Sequence, residues 1–175
     1  KNIIYIIPYF NKVSVDRIIN SLLKQNVSIN NIYKFDISID KEKDIFLHFK
    51  NNNNINFDYI TFIDQDFILN ESFVKNLHIS LVKNPDVNTI IFRYSKNKKI
   101  IPDINLIEIN NEIKFNVCIN RNVLNTFDLN KSIYDNIKII ENNNKKILIS
   151  KYLININDYN YKYYFNYFIL NNKKH

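Results

Sequence analysis

The chain alternates short apolar runs with polar breaks, and the period of each run sets the element it predicts. Residues 3–7, "IIYII", form a continuous apolar stretch stopped by Pro8, the pattern of a strand buried on both faces. Ile18, Ile19, Leu22 and Leu23 then recur at helical spacing as far as Gln25, with Ser14 as the expected cap. "YKFDISID" puts Tyr33, Phe35, Ile37 and Ile39 on one face of a strand that closes at Asp40. Residues 42–50 predict a short helix with Ile45, Phe46 and Phe49 inward, and residues 58–63 a buried strand. Asn70 is the expected cap of the next helix, whose Phe73, Leu77 and Leu81 share a face and which stops before Pro85. "VNTIIFRY" predicts a strand. "IIPDINLIEI" and "IKFNVCI" predict two more, joined as a hairpin across "NNE". A helix over 131–142 and a final strand over 146–156 complete the pattern, and the aromatic tail "YNYKYYFNYFILNNKKH" fits neither period.

Strands alternating with helices imply a mainly parallel central sheet with helices on both faces, an α/β fold. Ligands of such sheets bind at the carboxyl ends of the strands. Asp40 and the pair Asp64 and Asp66 all fall at such predicted ends, so one crevice could take all three.

Composition narrows the class. Apolar residues make up 46% of the 175, enough for one globular domain with a real core. No apolar run approaches the roughly 20 residues of a membrane-spanning helix. "KNIIYIIPYF" is too short for a signal peptide and meets Pro8 at once, so a soluble, cytoplasmic protein is expected. Cys118 is the single cysteine, which excludes an intrachain disulfide framework and a cysteine zinc site. Glycine is absent altogether, so neither a GxxxxGK[ST] phosphate loop nor a GxGxxG dinucleotide turn can form. Turns that need positive φ must use Asn or Asp, and "NNNN" at 51–54 and "NNN" at 142–144 are the expected places. The net charge of +7 favours anionic partners, or simply solubility. The lysine clusters at 96–99, 145–146 and 173–174 make no basic stripe interleaved with aromatics, so nucleic acid is not an expected partner.

The stretch "FDYITFIDQDFILNESF" carries the chemistry. Two carboxylates one residue apart at the end of a buried strand repel each other unless a cation neutralises them. Hard oxygen donors of this kind suit Mg2+ or Mn2+, which take one or two carboxylates together with substrate phosphates. A solvated turn is the alternative. His48 and His78 lie within helical patterns and are expected to pack or face solvent rather than bind a metal.

Two blocks of the sequence resemble family 2 glycosyltransferases of the GT-A fold. "IIYIIPYFNKVSVDRIINSLLKQ" is similar to the family's opening strand, its P-x-[YF]-N segment and a helix ending in SLL-x-Q. "DYITFIDQDFILNESFVKNLHISLVKNPDV" resembles its D-x-D strand and following helix, and "FNVCINRNVLNTFDLNKSIYDNIKII" a fainter acceptor-side segment. The resemblance implies a single GT-A-like domain over 1–175, with 1–95 as the nucleotide-binding half and 96–175 as the acceptor half. Pro8, Tyr9, Asp40 and Asp64 would bind the nucleotide, Asp64 and Asp66 a Mn2+ or Mg2+, and Asp135 would be the general base of inverting transfer. The implied donor is a nucleotide sugar, most simply a UDP-sugar. The acceptor would be a glycan or a lipid-linked molecule, with peripheral association at the inner face of a membrane. The sequence departs from the family at "DKEK", where "DDGS" is usual, and at Tyr134, where a Glu is usual. The N-x-G segment before the D-x-D strand and the Q-x-x-R-W motif are absent. A helix-start acid explains Asp135 without catalysis, and Glu141 is a second candidate base.

Three functions compete on this evidence. The first is a metal-dependent glycosyltransferase. The second is a GT-A-like domain that has lost donor chemistry, or a fragment of a larger transferase. The third is a nucleotidyltransferase, which ranks last because such enzymes use a glycine-rich first loop.

Overall fold

The computed structural model describes residues 1–10, 12–65, 67–92, 94–96, 99–101, 116–142, 147–150, 154–155 and 167–170. Its elements run β1 (Ile3–Tyr9), α1 (Lys12–Lys24), β2 (Ile32–Asp36), α2 (Glu42–Phe49), β3 (Tyr59–Ile63), β4 (Ile68–Leu69), α3 (Phe73–Lys83), β5 (Thr89–Ile91), β6 (Tyr94–Lys96) and β7 (Lys99–Ile101). They continue with β8 (Asn116–Asn120), α4 (Arg121–Leu124), α5 (Ile133–Asn142), β9 (Ile147–Ser150), β10 (Ile154–Asn155) and β11 (Tyr167–Leu170).

Seven strands form the central sheet in the order β11-β9-β5-β8-β3-β1-β2. β1, β2 and β3 pair in parallel. β5 shares their direction because both it and β3 lie antiparallel to β8, and β9 runs parallel to β5. Only β8 and β11 oppose the rest, so the sheet is mainly parallel, as the alternating pattern implies. Strands from both halves of the chain share it. A smaller sheet, β4-β10-β6-β7, stands beside it.

The sheet is covered on both faces. Ile3, Tyr5 and Ile7 of β1 pack with Val15, Ile18 and Leu22 of α1 and with Phe73, Leu77 and Leu81 of α3. The alternate residues Ile4 and Ile6 pack with Ile45, Phe46 and Phe49 of α2 and with Ile133, Ile137 and Ile140 of α5. This two-sided burial is why residues 3–7 show no polar alternation. Phe46 stands edge-on between Phe62 (5.4 Å) and Phe127 (5.5 Å), joining α2 to the sheet and to the chain before α5. Cys118 is fully buried in β8, and burial pushes its thiol up to about 12, so it is inert in the folded protein.

Glycine's absence shows at the helix ends. α1 closes with Asn26 at φ 65°, Val27 N–H bonded to Leu22 C=O (3.1 Å) and Asn26 N–H to Leu23 C=O (3.1 Å). This is a Schellman ending with Asn in the glycine position. Asn51 takes φ 55° after α2, within the expected Asn run, whereas Asn26 carries no such run to advertise it. The expected turn at 142–144 reaches residues 143–144, outside the described residues.

Several boundaries differ from the pattern. α1 begins at Lys12, so Ser14 lies in its first turn and does not cap it. β2 ends at Asp36 rather than Asp40, because the Asp36 carboxylate accepts from Ser38 N–H (3.0 Å) and Ser38 Oγ (2.6 Å), turning the chain four residues early. "VNTIIFRY" divides between β5 in the large sheet and β6 in the small one, and the strand over 146–156 divides in the same way into β9 and β10. The hairpin partner of β7 is β6, while β8 pairs with β3 and β5. The rest of the expected hairpin, 102–115, lies outside the described residues. The tail supplies β11, antiparallel to β9. No helix among the described residues is long and apolar enough to cross a membrane.

The α1–α3 junction rests on one side chain. Gln25 Nε2 donates to Asn70 C=O (3.0 Å), and Gln25 Oε1 accepts from Val74 N–H (2.9 Å) in the first turn of α3. Asn70 holds the entry to that turn through Ser72 N–H (2.8 Å). Replacing Gln25 with Ala leaves a half-buried N–H and C=O unpaired, so Gln25→Ala is expected to cost about 1–2 kcal/mol, read as a lower urea midpoint at unchanged slope.

Candidate active site

Register builds the crevice. In the β1–β2 ladder Pro8 is level with Phe35 and Tyr9 with Asp36, and Ile37 N–H extends the ladder to Tyr9 C=O (3.0 Å). In the β1–β3 ladder Ile6 is level with Phe62, which brings Asp64, two residues on, to the height of Pro8. Pro8, Tyr9, Asp36 and Asp64 therefore gather at the carboxyl ends of three adjacent parallel strands. Asp40 stays close to this end, its N–H bonded to Asp36 C=O (2.8 Å), but it sits beyond the turn and not on the strand. Asp36 is the strand-end carboxylate there, and its two bonds from Ser38 hold its pKa below the usual carboxylate range.

After β3 the chain makes a tight turn, Phe67 N–H to Asp64 C=O (3.1 Å). Asp64 is half-buried at its start. Asp66 lies outside the described residues, but its neighbours are fixed. Gln65 is buried, with Oε1 accepting from Phe10 N–H (2.7 Å) just past β1. Arg17 of α1 reaches the Gln65 and Phe67 carbonyls through Nη2 at 3.4 and 3.5 Å. Neither Gln65 nor Arg17 stands out in the sequence, since a polar residue between two aspartates reads as loop and an arginine on a helix reads as surface.

Asp135 is exposed in the first turn of α5, its N–H bonded to Ser132 Oγ (3.1 Å). The start of α5 is tied to the start of α2, because Ile133 N–H donates to Glu42 Oε1 (2.7 Å). Since α2 leaves the carboxyl end of β2, α5 also begins at that end of the sheet. It packs on the α2 face, whereas the turn after β3 is braced by α1 from the other face. Glu141 lies in the last turn of α5, at the far end of that helix from Asp135. His48 rests against Phe35 (5.7 Å) and Phe49 (4.8 Å), and His78 lies on α3 with its pKa lowered by partial burial.

Among the described residues no three His, Cys, Asp or Glu side chains cluster as a metal site. A half-buried carboxylate at a strand end nevertheless fits a hard divalent cation that completes its shell with phosphate oxygens and water.

Solved structures share this architecture. S. aureus TarS 1–349 matches with a TM-score of 0.57 at 13% identity, over 89% of this chain and 60% of that one. The same fragment in complex with UDP matches with a TM-score of 0.54 at 15% identity, again over 89% and 60%. TarS is a glycosyltransferase. The chain therefore shares the α/β fold of these TarS structures. A longer TarS structure matches with a TM-score of 0.53 at 10% identity over 89% of this chain and 36% of its own, so the chain spans less than two thirds of each of these TarS chains. No protein-family model and no curated protein matches the sequence.

The Glu42 contact carries a pH signature. Burial raises its pKa, and the Ile133 N–H bond pulls the other way. With the pKa raised, the folded chain holds the Glu42 proton more tightly than the unfolded chain, so this contribution is full below the unfolded value of about 4.3 and is lost as pH rises through the folded one. Glu42→Gln keeps an acceptor for Ile133 N–H and should flatten that decline. Glu42→Ala should lose the cap, about 1 kcal/mol at every pH. Urea midpoints of the three proteins followed from about pH 4 to 7 test this, and superimposable profiles would refute it.

Proposed function

We propose that the chain is a metal-dependent glycosyltransferase domain that transfers a sugar from a nucleotide-sugar donor with inversion. One observation carries the proposal. In a glycosyltransferase-like fold, the carboxylate turn after β3 sits at the height of Pro8 on the neighbouring strand. The UDP bound to the similar TarS fragment supports a UDP-sugar as donor. The family 2 reading rests on the resemblance of residues 3–25 and 58–87. In this reading residues 1–95 form the nucleotide-binding half and 96–175 the acceptor half.

Each residue then has a task. Pro8 and Tyr9 form the wall against which the nucleotide lies, and Asp40 meets it from the turn after β2. Asp64 and Asp66 hold a Mn2+ or Mg2+, which when bound offsets the charge of the leaving diphosphate. Asp135 takes the proton of the acceptor hydroxyl. The acceptor is a glycan or a lipid-linked molecule, met in the cytoplasm at the inner face of a membrane. A catalytically silent donor-binding domain is the second reading, favoured by "DKEK" after β2, where lysines stand beside Asp40.

Calorimetric titration with UDP, GDP and CMP, each with and without Mn2+, tests the donor site, and an assay of sugar transfer tells the transferase from the silent domain. Tight binding of one nucleotide only with Mn2+ supports the transferase, and no metal effect with any of them removes it. Asp64→Asn should weaken Mn2+-dependent binding about tenfold or more without lowering the urea midpoint, since it deletes one charge-assisted ligand. Asp135→Asn should leave that binding intact and abolish sugar transfer, by about 100-fold or more for a general base. Equal loss of binding and transfer in Asp135→Asn would remove it from that role.

A further inference from the structure

The middle residue of "DQD" is the unexpected one. Gln65 is only 8% exposed although it lies in a turn between two carboxylates. Its Oε1 does not serve the turn locally. It crosses to Phe10 N–H at 2.7 Å, on the residue that follows Pro8 and Tyr9. The same residue's carbonyl accepts from Arg17 Nη2 at 3.4 Å, and Arg17 also reaches Phe67 C=O at 3.5 Å. Gln65 and Phe67 are thus held from the segment just after β1, from α1 and by the bond from Phe67 N–H to Asp64 C=O (3.1 Å).

We infer that Gln65 is a positioning residue whose side-chain bond to Phe10 N–H fixes the carboxylate turn relative to the segment Pro8–Tyr9–Phe10. The inference rests on the reading above, in which Pro8 and Tyr9 lie against the nucleotide and the turn holds the cation. Two like charges on a free turn swing apart, and a cation that must bridge them to a diphosphate then has to draw them together at a cost in affinity. A buried amide tied to the neighbouring strand removes that cost before any ligand arrives. The bond also ties the segment after β1 to the turn after β3, so a displacement of one is passed to Gln65 and its neighbour Asp64.

The test separates this role from simple stability. UDP affinity is measured by calorimetry with and without Mn2+, and the ratio of the two is the readout. Gln65→Met, close in size but with no acceptor, should cut the ratio about tenfold while leaving metal-free UDP affinity within about twofold, the worth of one lost positioning bond. Gln65→Glu, which keeps an acceptor for Phe10 N–H, should restore most of it. The bond can also be removed from its other end. Phe10→Pro deletes the N–H and should reproduce the Met variant, while Phe10→Ala keeps the N–H and should not. An unchanged ratio in Gln65→Met and Phe10→Pro overturns the inference, as does an equal fall in metal-free and metal-dependent affinity. A wild-type protein that shows no Mn2+ effect overturns the metal reading itself. That outcome is told apart because only then is the unaltered chain silent.

Discussion

The in-register parallel pairing of β1 with β2 on one side and β3 on the other is the constraint on which the rest depends. Parallel strands bring their carboxyl ends to one edge, and here the edge collects Pro8, Tyr9, Asp36 and Asp64. Hydrophobic patterning alone specifies this register weakly. β1 is apolar on both faces, so a one-residue slip would exchange Ile4 and Ile6 for Ile3, Tyr5 and Ile7 and still bury every side chain. Polar bonds at both ends of β1 remove the ambiguity. At its amino end Asn2 N–H donates to Asp58 Oδ2 (2.7 Å), and Asp58 N–H returns a bond to Asn2 C=O (2.8 Å). At its carboxyl end Phe10 N–H meets Gln65 (2.7 Å). A slip would break both together, leaving a buried amide without its partner, which costs more than the shift in packing would return.

How much of this could be read from the residues follows from what kind of interaction fixes each part. β1, β3, α2, α3 and α5 are set by apolar periodicity, and that period is written locally. The mainly parallel sheet follows from their order. The end of β2 was misplaced because Ile37 and Ile39 continue the alternation of Tyr33 and Phe35. The Asp36 carboxylate overrides that pattern with bonds to Ser38 that no hydrophobic period records. The division of "VNTIIFRY" between two sheets was hidden for a related reason. β5 and β6 are each three residues long, too short for any period to show where one stops. For the site, the carboxylates were legible as types at a strand end. Their supports were not, since Gln65 and Arg17 act across 48 to 55 residues of sequence.

The lack of glycine links these points. Most compact α/β proteins turn sharply at strand ends by placing glycine where φ is positive or where backbone must approach a ligand. This chain uses asparagine for the conformations, as at Asn26 and Asn51. For the bonding it relies on side chains that reach backbone groups. Arg121 shows the same solution away from the site. Its guanidinium spans Asn52 C=O (2.6 Å) and Ile55 C=O (2.9 Å) while lying 4.4 Å from the centre of the Phe57 ring, so one residue holds the loop before β3.

That economy bears on how a diphosphate could be met at the strand ends. A glycine-rich loop presents successive N–H groups to phosphate and neutralises it with backbone dipoles. A chain with no glycine cannot form such a loop, and at least one of the N–H groups at this edge, that of Phe10, is already committed to Gln65. In the function proposed above the charge would be held by a cation on carboxylates, in a chain that also offers lysine and arginine side chains, and carboxylates serve a cation best when their spacing is set in advance. On that proposal the work of preorganisation falls to side chains, and Gln65, buried and bonded to Phe10 N–H, is the one placed to do it.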